Sequence, residues 1–263
     1  MHRAAITILG ALLSVWPYCS RAQTVRVAAA SDLQFAMTEL AARYEKETGT
    51  KVGLSFGSSG NFFALIQNGA PFDLFFSADR SYPERLIEAG MADRNSLYIY
   101  ALGRLALWAP SEAGLKLAEK GFSALADPRV QKIAIANPEH APYGRAAVAA
   151  LQKAGVYEQV KSKLVFGENI SQAAQFAQSG NAQIGMIALS LVLSESMKGG
   201  ERWIVPADYY PPLKQAAVLI NCAGSKTEAS GFLEFVKSEA GRAILVRHGF
   251  TAPGSSSGVE SKP

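Results

Sequence analysis

The sequence predicts an α/β protein built as two lobes, and three observations carry that expectation. Short apolar strands alternate with helical stretches along the chain, the pattern of a mainly parallel sheet flanked by helices. After a long apolar run from Ser96 to Ala109, closed by Pro110, the alternation starts afresh. At 263 residues, 49% hydrophobic and 18% charged, the chain is globular rather than disordered and long enough to bury more than one core.

The first residues decide the compartment. Met1-His2-Arg3 is a short positive start, Ala4 to Trp16 is almost wholly apolar, and Ser20-Arg21-Ala22 places small residues at the first and third positions before a cut. That layout is a secretory signal peptide over 1–22, cleaved after Ala22, with an apolar run too short to span a bilayer. Cys19 lies in this leader, and Val15 to Tyr18 ahead of it match a lipidation motif poorly. Cys222 would then stand alone, so no intrachain disulfide is expected. The formal net charge of +4 falls by two when Arg3 and Arg21 leave, too small a bias to imply nucleic acid or an anionic membrane as partner.

Val25 to Ala30 reads as a buried strand. Ser31 follows as an expected N-cap with Asp32 in the first turn, and Leu33, Ala36, Met37, Leu40, Ala41 and Tyr44 recur at helical spacing up to Gly49. A strand at Lys51 to Phe56, the turn Gly57-Ser58-Ser59-Gly60-Asn61 and a helix from Phe62 come next. Asp73 to Ser77 is a third strand, and Pro83 to Glu88 a helix ended by Gly90. Ser96 to Ala109 is long for one strand, as a strand passing between lobes would be. Beyond it the reading gives strands at Lys132 to Ala136, Leu164 to Phe166 and Gln183 to Ile187, with helices at Tyr143 to Ala154 and Ile170 to Gln178. Strands at Trp203 to Val205 and Gln215 to Asn221 then lead to two closing helices, Thr227 to Ser238 and Ala240 to His248. The chain should therefore cross between lobes near Leu105 and near Val205. One lobe would hold residues 23–105 plus 206–253 and the other 106–205, with a disordered polar tail at 254–263. Two crossings make a hinge, and a cleft between lobes is where ligand binds.

Four polar turns leave a strand and enter a helix: Ser31-Asp32, Ser58-Ser59-Gly60-Asn61, Ala141-Pro142-Tyr143-Gly144 and Glu168-Asn169-Ile170-Ser171. A helix start offers unpaired N–H donors and a partial positive charge, and so binds anions without lysine or arginine. Two turns come from each expected lobe, so closure would gather four around one small anion.

Five segments add a resemblance. AAASDL (Ala28 to Leu33), SFGSSGNF (Ser55 to Phe62), GAPFDLFFSAD (Gly69 to Asp79), NPEHAPYGRAA (Asn137 to Ala147) and the run YPPLKQAAV (Tyr210 to Val218) are similar to periplasmic molybdate-binding proteins over nearly the whole mature chain. The resemblance implies a two-lobed periplasmic binding protein fold, a periplasmic location, molybdate or tungstate as ligand, and an ABC permease in the inner membrane as partner of a monomer. It implies no cofactor and no metal cation, the metal arriving as its oxyanion. Carried over by position, Ser31 and Ser59 would give hydroxyl and backbone donors, and Tyr143 and Ile170 backbone N–H groups. Asp32, Ser58, Asn61, Gly144 and Asn169 would support them. Where the family often places a tyrosine after the strand near Ile187, this chain has Ala188-Leu189-Ser190, and the Tyr143 side chain is the available substitute. Asp32 is expected to face solvent as a dipole partner. Its alternative role is to accept a proton from a protonated anion such as hydrogen phosphate or arsenate.

Other readings stay open. Another oxyanion (phosphate, arsenate, vanadate or sulfate) would suit the same turns. Ferric ion is suggested by Tyr209-Tyr210, although no Cys/His cluster has metal-ligand spacing. A hydrolase using Ser31 or Ser59 with His140 and Asp32 or Asp73 is the least favoured, because Gly57-Ser58-Ser59-Gly60 is not a nucleophile elbow. His248, the other histidine of the mature chain, lies in the closing helix.

Overall fold

The computed structural model describes residues 24–221, 224 and 226–254. Residues 1–23, which include the expected leader and Cys19, as well as Cys222 and the residues beyond Gly254, lie outside the described residues. The chain runs β1 (Val25–Ala30), α1 (Gln34–Thr48), β2 (Val52–Gly57), α2 (Ser59–Gln67), β3 (Leu74–Ser77), α3 (Ser81–Glu88), β4 (Tyr98–Gly103) and β5 (Leu105–Ala109). It continues through α4 (Leu117–Lys120), β6 (Ile133–Ala136), α5 (Pro142–Lys153), α6 (Tyr157–Val160), β7 (Leu164–Gly167), α7 (Ile170–Gln178), β8 (Ile184–Ala188) and α8 (Leu189–Val192). It ends with β9 (Glu201–Ile204), β10 (Leu213–Leu219), α9 (Lys226–Lys237) and α10 (Glu239–Arg247).

Two five-stranded sheets result, ordered β2-β1-β3-β10-β4 and β7-β6-β8-β5-β9. They share one plan. In the first, β1 pairs parallel with β2 and β3 while β10 runs against β3 and β4; in the second, β6 pairs parallel with β7 and β8 while β5 runs against β8 and β9. One strand in each sheet thus opposes the other four. Both opposing strands follow a passage of the chain from one sheet to the other, which ties the sheets together twice.

The run Ser96 to Ala109 is not one strand. It breaks at Arg104 into β4 and β5, which belong to different sheets. The backbone there is claimed from outside both ladders: Leu189 N–H donates to Arg104 O (2.9 Å), and Leu105 N–H donates to the Tyr210 hydroxyl (3.1 Å). Periodicity shows that a segment is apolar, but not that hydrogen bonds from distant residues divide it.

Apolar cores follow the sheets. One surrounds the second sheet, built on Leu105 to Ala109, Ile133 to Ala136 and Ile184 to Ala188. The two faces of the first sheet bury separate clusters, one under α1, α9 and α10 and one under α2 and α3. Phe232 of α9 is fully buried, with its ring 5.2 Å from Tyr44 of α1 and 6.4 Å from Phe76 of β3. The end of the chain therefore completes a core begun at its start. Phe232→Ala is expected to lose about 3–5 kcal/mol, lowering the midpoint by roughly 6–20 °C at about 2–4 °C per kcal/mol. An unshifted thermal melt would contradict a shared core.

Candidate functional site

The carboxyl ends of β1, β2 and β3 and of β6 and β7 point at one another across the gap between the sheets. The turns that leave them line one small cavity, formed by Ala30, Ser31, Asp32, Gly57, Ser58, Ser59, Ala78, Ala141, Pro142, Tyr143 and Ile170. All four turns singled out in the sequence contribute. Their residues are deeply buried: Ser31 is 2% exposed, Ser59 0%, Tyr143 2% and Ile170 4%.

The donors at these turns can be followed one by one. At α2, Gly60 N–H donates to His140 O (2.9 Å), Asn61 N–H to Ser58 Oγ (3.2 Å) and Phe62 N–H to Ser58 O (3.1 Å). At α5, Pro142 has no N–H, and Gly144 and Arg145 donate to Ala141 O (3.0 and 3.2 Å). At α7, Ser171 N–H donates to Ser31 Oγ (3.4 Å), Gln172 N–H to Asn169 Oδ1 (3.1 Å) and Ala173 N–H to Asn169 O (3.2 Å). Among the described residues, one first-turn N–H remains at each helix, and these belong to Ser59, Tyr143 and Ile170, which all line the cavity. The Ser59 hydroxyl accepts from Ala78 N–H (2.9 Å), which leaves its own proton to donate.

Ser31 departs from expectation. It is not an N-cap: Ser31 to Leu33 form a 3-10 turn ahead of α1, and no side chain caps it. Its hydroxyl instead donates across the gap to Asn169 Oδ1 (3.2 Å), while its carbonyl accepts from Ser171 Oγ (3.0 Å). Asn169 supports the site by capping α7. Asn61 and Gly144 do not line the cavity. Asn61 Nδ2 donates to Glu168 Oε1 (3.3 Å), and Gly144 lies where a Cβ would stand 2.2 Å from Ala136 O.

Asp32 departs further. It does not face solvent but is 1% exposed, because the turn directs it inward beneath the cavity. Its Oδ2 accepts from Gln215 Nε2 (2.6 Å), whereas its buried Oδ1 has no hydrogen-bond partner. Gln215 also donates to the Tyr143 hydroxyl (3.1 Å), and its Oε1 accepts from the Tyr100 hydroxyl (2.7 Å). Burial pushes the Asp32 carboxyl up from 3.8 to about 6, with Gln215, Tyr143 and nearby backbone groups pulling it part of the way back. Burial likewise holds the Tyr100 and Tyr143 phenols well above their ordinary value. The Tyr143 side chain therefore joins this network under the cavity. Ala188 is fully buried at the start of α8, and Ser190 donates its hydroxyl proton to Asp32 O (2.7 Å).

Further bonds close the gap around its rim. His140 Nδ1 lies 3.0 Å from Ser58 Oγ, Arg145 Nη2 donates to Asp79 Oδ2 (2.7 Å), and Arg145 Nη1 donates to the Tyr82 hydroxyl (3.2 Å). Deep donors with the rim bonded shut make an arrangement suited to enclosing a small anion.

A family model described as bacterial extracellular solute-binding protein matches residues 25–251. The chain belongs to this family. The molybdate-binding protein ModA of Rhodobacter capsulatus is 38% identical over 94% of this chain and 96% of its own length. That of Azotobacter vinelandii is 38% identical over 88% of this chain and 91% of its own. The solved structure of the Azotobacter vinelandii periplasmic molybdate-binding protein aligns with a TM-score of 0.81 at 34% identity, covering 87% of this chain and 99% of that one.

The solute-binding family frames the remaining candidates. Tyr210 is buried at the second passage with its hydroxyl oxygen accepting from Leu105 N–H, and Tyr209 packs on Phe122 (5.2 Å), so the two tyrosines are used in packing. The Ser58 hydroxyl facing His140 is also the N-cap of α2. Asp73 pairs with Arg26 at the opposite end of its strand (3.1 Å). Sequence reasoning missed Gln215, Tyr100 and Ser190. The signal available was a glutamine inside the apolar strand LKQAAVL, since a buried polar side chain requires partners.

Proposed function

We propose that this solute-binding protein captures a tetrahedral oxyanion, molybdate or tungstate, in the periplasm and delivers it to an ABC permease. The observation that carries this reading is the set of three unspent helix-start N–H groups, at Ser59, Tyr143 and Ile170, converging on one buried cavity with the Ser59 hydroxyl and the turn at Ser31. Each hydrogen bond to a charged acceptor contributes about 1.5–3 kcal/mol. Ser31, Ser59, Tyr143 and Ile170 hold the anion; Asp32, Ser58, Asn61, Gly144 and Asn169 position them.

The lobes are 23–105 with 206–253, and 106–205. The anion bridges the helix starts of both, and only the closed form makes all the bonds, so ligand shifts the population toward closure. The permease reads that closed shape. The protein acts as a monomer without cofactor, nucleic acid or catalysis, after removal of residues 1–22. The resemblance of the chain to molybdate-binding proteins supports the choice of ion.

The test is a thermal-shift panel on protein purified from the periplasm, with molybdate, tungstate, vanadate, sulfate, phosphate, arsenate and ferric citrate. Ligand at about a thousand times its dissociation constant stabilises by roughly 4 kcal/mol, or about 8–16 °C here. Molybdate and tungstate should give that shift and sulfate should not. A response to phosphate and arsenate alone would reassign the ion, and a response to ferric citrate alone would end the oxyanion reading.

A further inference from the structure

Among the donors around the cavity stands one acceptor that nothing uses. Asp32 lines the cavity, is 1% exposed, and has a buried Oδ1 without a partner, while its Oδ2 is held by Gln215. A dianion enclosed beside an ionised Asp32 would place two acceptors with like charge together in a dry site, where repulsion is strong and neither can satisfy the other. One proton removes both faults, because a protonated Oδ1 becomes a donor.

We propose that the protein takes up one proton from solvent with each oxyanion, and that this proton sits on Asp32 Oδ1 and is donated in a hydrogen bond to an anion oxygen. This rests on the oxyanion reading above. No covalent bond is made; the proton leaves water for the carboxylate on binding and returns to water on release. Every group holding the anion is then a donor to oxygen, and Asp32 becomes a specificity residue that tunes affinity with pH.

Gln215, Tyr143 and nearby backbone groups stabilise the ionised carboxylate only in part, and among the described residues no cation faces it. The titratable groups facing Asp32 are the phenols of Tyr143 from α5 and Tyr100 from β4, both kept neutral by burial. From α7 come Asn169 and Ser171, from α8 Ser190 and from β10 Gln215, none of which ionises. The charged groups of the cleft are engaged at the rim, Arg145 with Asp79 and Glu168 with Asn61, and His140 lies against Ser58. The Tyr210 hydroxyl oxygen accepts from Leu105 N–H. The Asp32 carboxyl, already raised to about 6 by burial, needs only a further rise to remain protonated near neutral pH when the dianion arrives.

The sign follows from linkage. A dianion raises the Asp32 pKa in the complex above that of the free protein. Affinity is therefore independent of pH below the pKa of Asp32 in the free protein and falls roughly tenfold per pH unit between the free and bound values. Molybdate is fully deprotonated over this range, so the dependence belongs to the protein.

The experiment is titration calorimetry of the intact secreted protein with molybdate from pH 5.5 to 8.5, repeated in buffers of different ionisation enthalpy to count protons, on wild type and Asp32→Asn. Asparagine keeps the Gln215 bond and presents a permanent donor in place of Oδ1. Wild type should take up close to one proton per molybdate at pH 8 and bind more weakly there than at pH 6. Asp32→Asn should take up none, show a flat profile, and bind more tightly than wild type at pH 8 by about tenfold or more. A difference infrared spectrum should show a protonated-carboxyl band on binding that the variant lacks, a signature no merely structural role produces. Molybdate binding by wild type with no proton uptake and no pH slope would overturn the inference and leave the oxyanion function standing. A slope surviving in Asp32→Asn would overturn it by assigning the proton to another group. Failure of wild type to bind molybdate at any pH would overturn the functional reading and this inference with it. The proton count on wild type stands even if the variant folds poorly.

Discussion

Gly60→Ala is expected to weaken oxyanion binding by roughly ten- to hundredfold while leaving the ligand-free protein as stable as wild type or slightly more so. Gly60 sits in the first turn of α2, and its N–H donates to His140 O on the opposite side of the cleft. A Cβ there would lie 2.6 Å from His140 O and 2.9 Å from both Cα and Cβ of His140. The obstacle is backbone and cannot rotate away. The loop carrying it is fixed by the Ala141 N–H bond to Asn137 O (2.9 Å), and moving it would drag the start of α5 with it. Crowding of this kind costs about 1–3 kcal/mol, and each 1.4 kcal/mol is about a factor of ten in affinity. The cost falls only on the closed form. In an open cleft the added methyl meets water, and alanine favours a helix over glycine by about 0.5–1 kcal/mol. Calorimetry with molybdate and a thermal melt without it separate the two effects. Wild-type affinity in the variant would show that this contact is not part of the ligand-bound state, whereas a large loss of ligand-free stability would show that Gly60 is needed for folding rather than closure.

The fold and the site were legible to different depths, for physical reasons. Helix α7 was read at its observed limits because Asn169, its N-cap, and the spacing of Ile170, Ala173, Ala174 and Ala177 are local signals. The polar turns were legible for the same reason: a serine or asparagine between a strand and a helix announces a helix start wherever it occurs. Segment 111–131, a short helix between 3-10 turns, was not resolved because such pieces have no sustained period. Long-range bonds were the other blind spot. The continuous apolar run breaks at Arg104, whose carbonyl accepts from Leu189 N–H, while the next residue, Leu105, donates its N–H to the Tyr210 hydroxyl. Asp32 turns inward because Gln215, 183 positions further on, supplies a donor for it. Ser31 looked like a cap and is a cross-cleft tie, since its partners Asn169 and Ser171 come from the other sheet. Local chemistry names the participants, while their roles depend on what the two passages of the chain bring opposite them.

Gln215→Leu should expose the cost of the buried carboxylate, with an effect that grows with pH. Gln215 is fully buried on β10 and is the side-chain donor to Asp32 Oδ2 at 2.6 Å. Leucine fills nearly the same space with no polar atom. At pH 5 Asp32 is already mostly protonated in the wild type, so the variant loses neutral hydrogen bonds, including that from the Tyr100 hydroxyl to Gln215 Oε1, at about 1–2 kcal/mol. The Tyr100 hydroxyl keeps Ser77 O as an acceptor at 3.1 Å, which limits the loss. At pH 8 the wild-type carboxylate is ionised and held by Gln215. Without that donor, the strongest of those that favour the ionised form, the carboxyl is driven toward protonation against the solution, at up to about 1.4 kcal/mol for each pH unit above its folded pKa. With that value near 6, the added cost is about 3 kcal/mol. The direction agrees with the wild type: a carboxyl raised from 3.8 to about 6 contributes stability that is complete below 3.8 and lost as pH rises through 6. Removing Gln215 raises the folded pKa further and deepens that loss. Thermal melts of the two proteins should therefore differ by roughly 2–8 °C at pH 5 and by about 8–20 °C at pH 8. Equal differences at the two pH values would mean that an open cleft hydrates Asp32 and that its carboxylate does not titrate inside the closed protein.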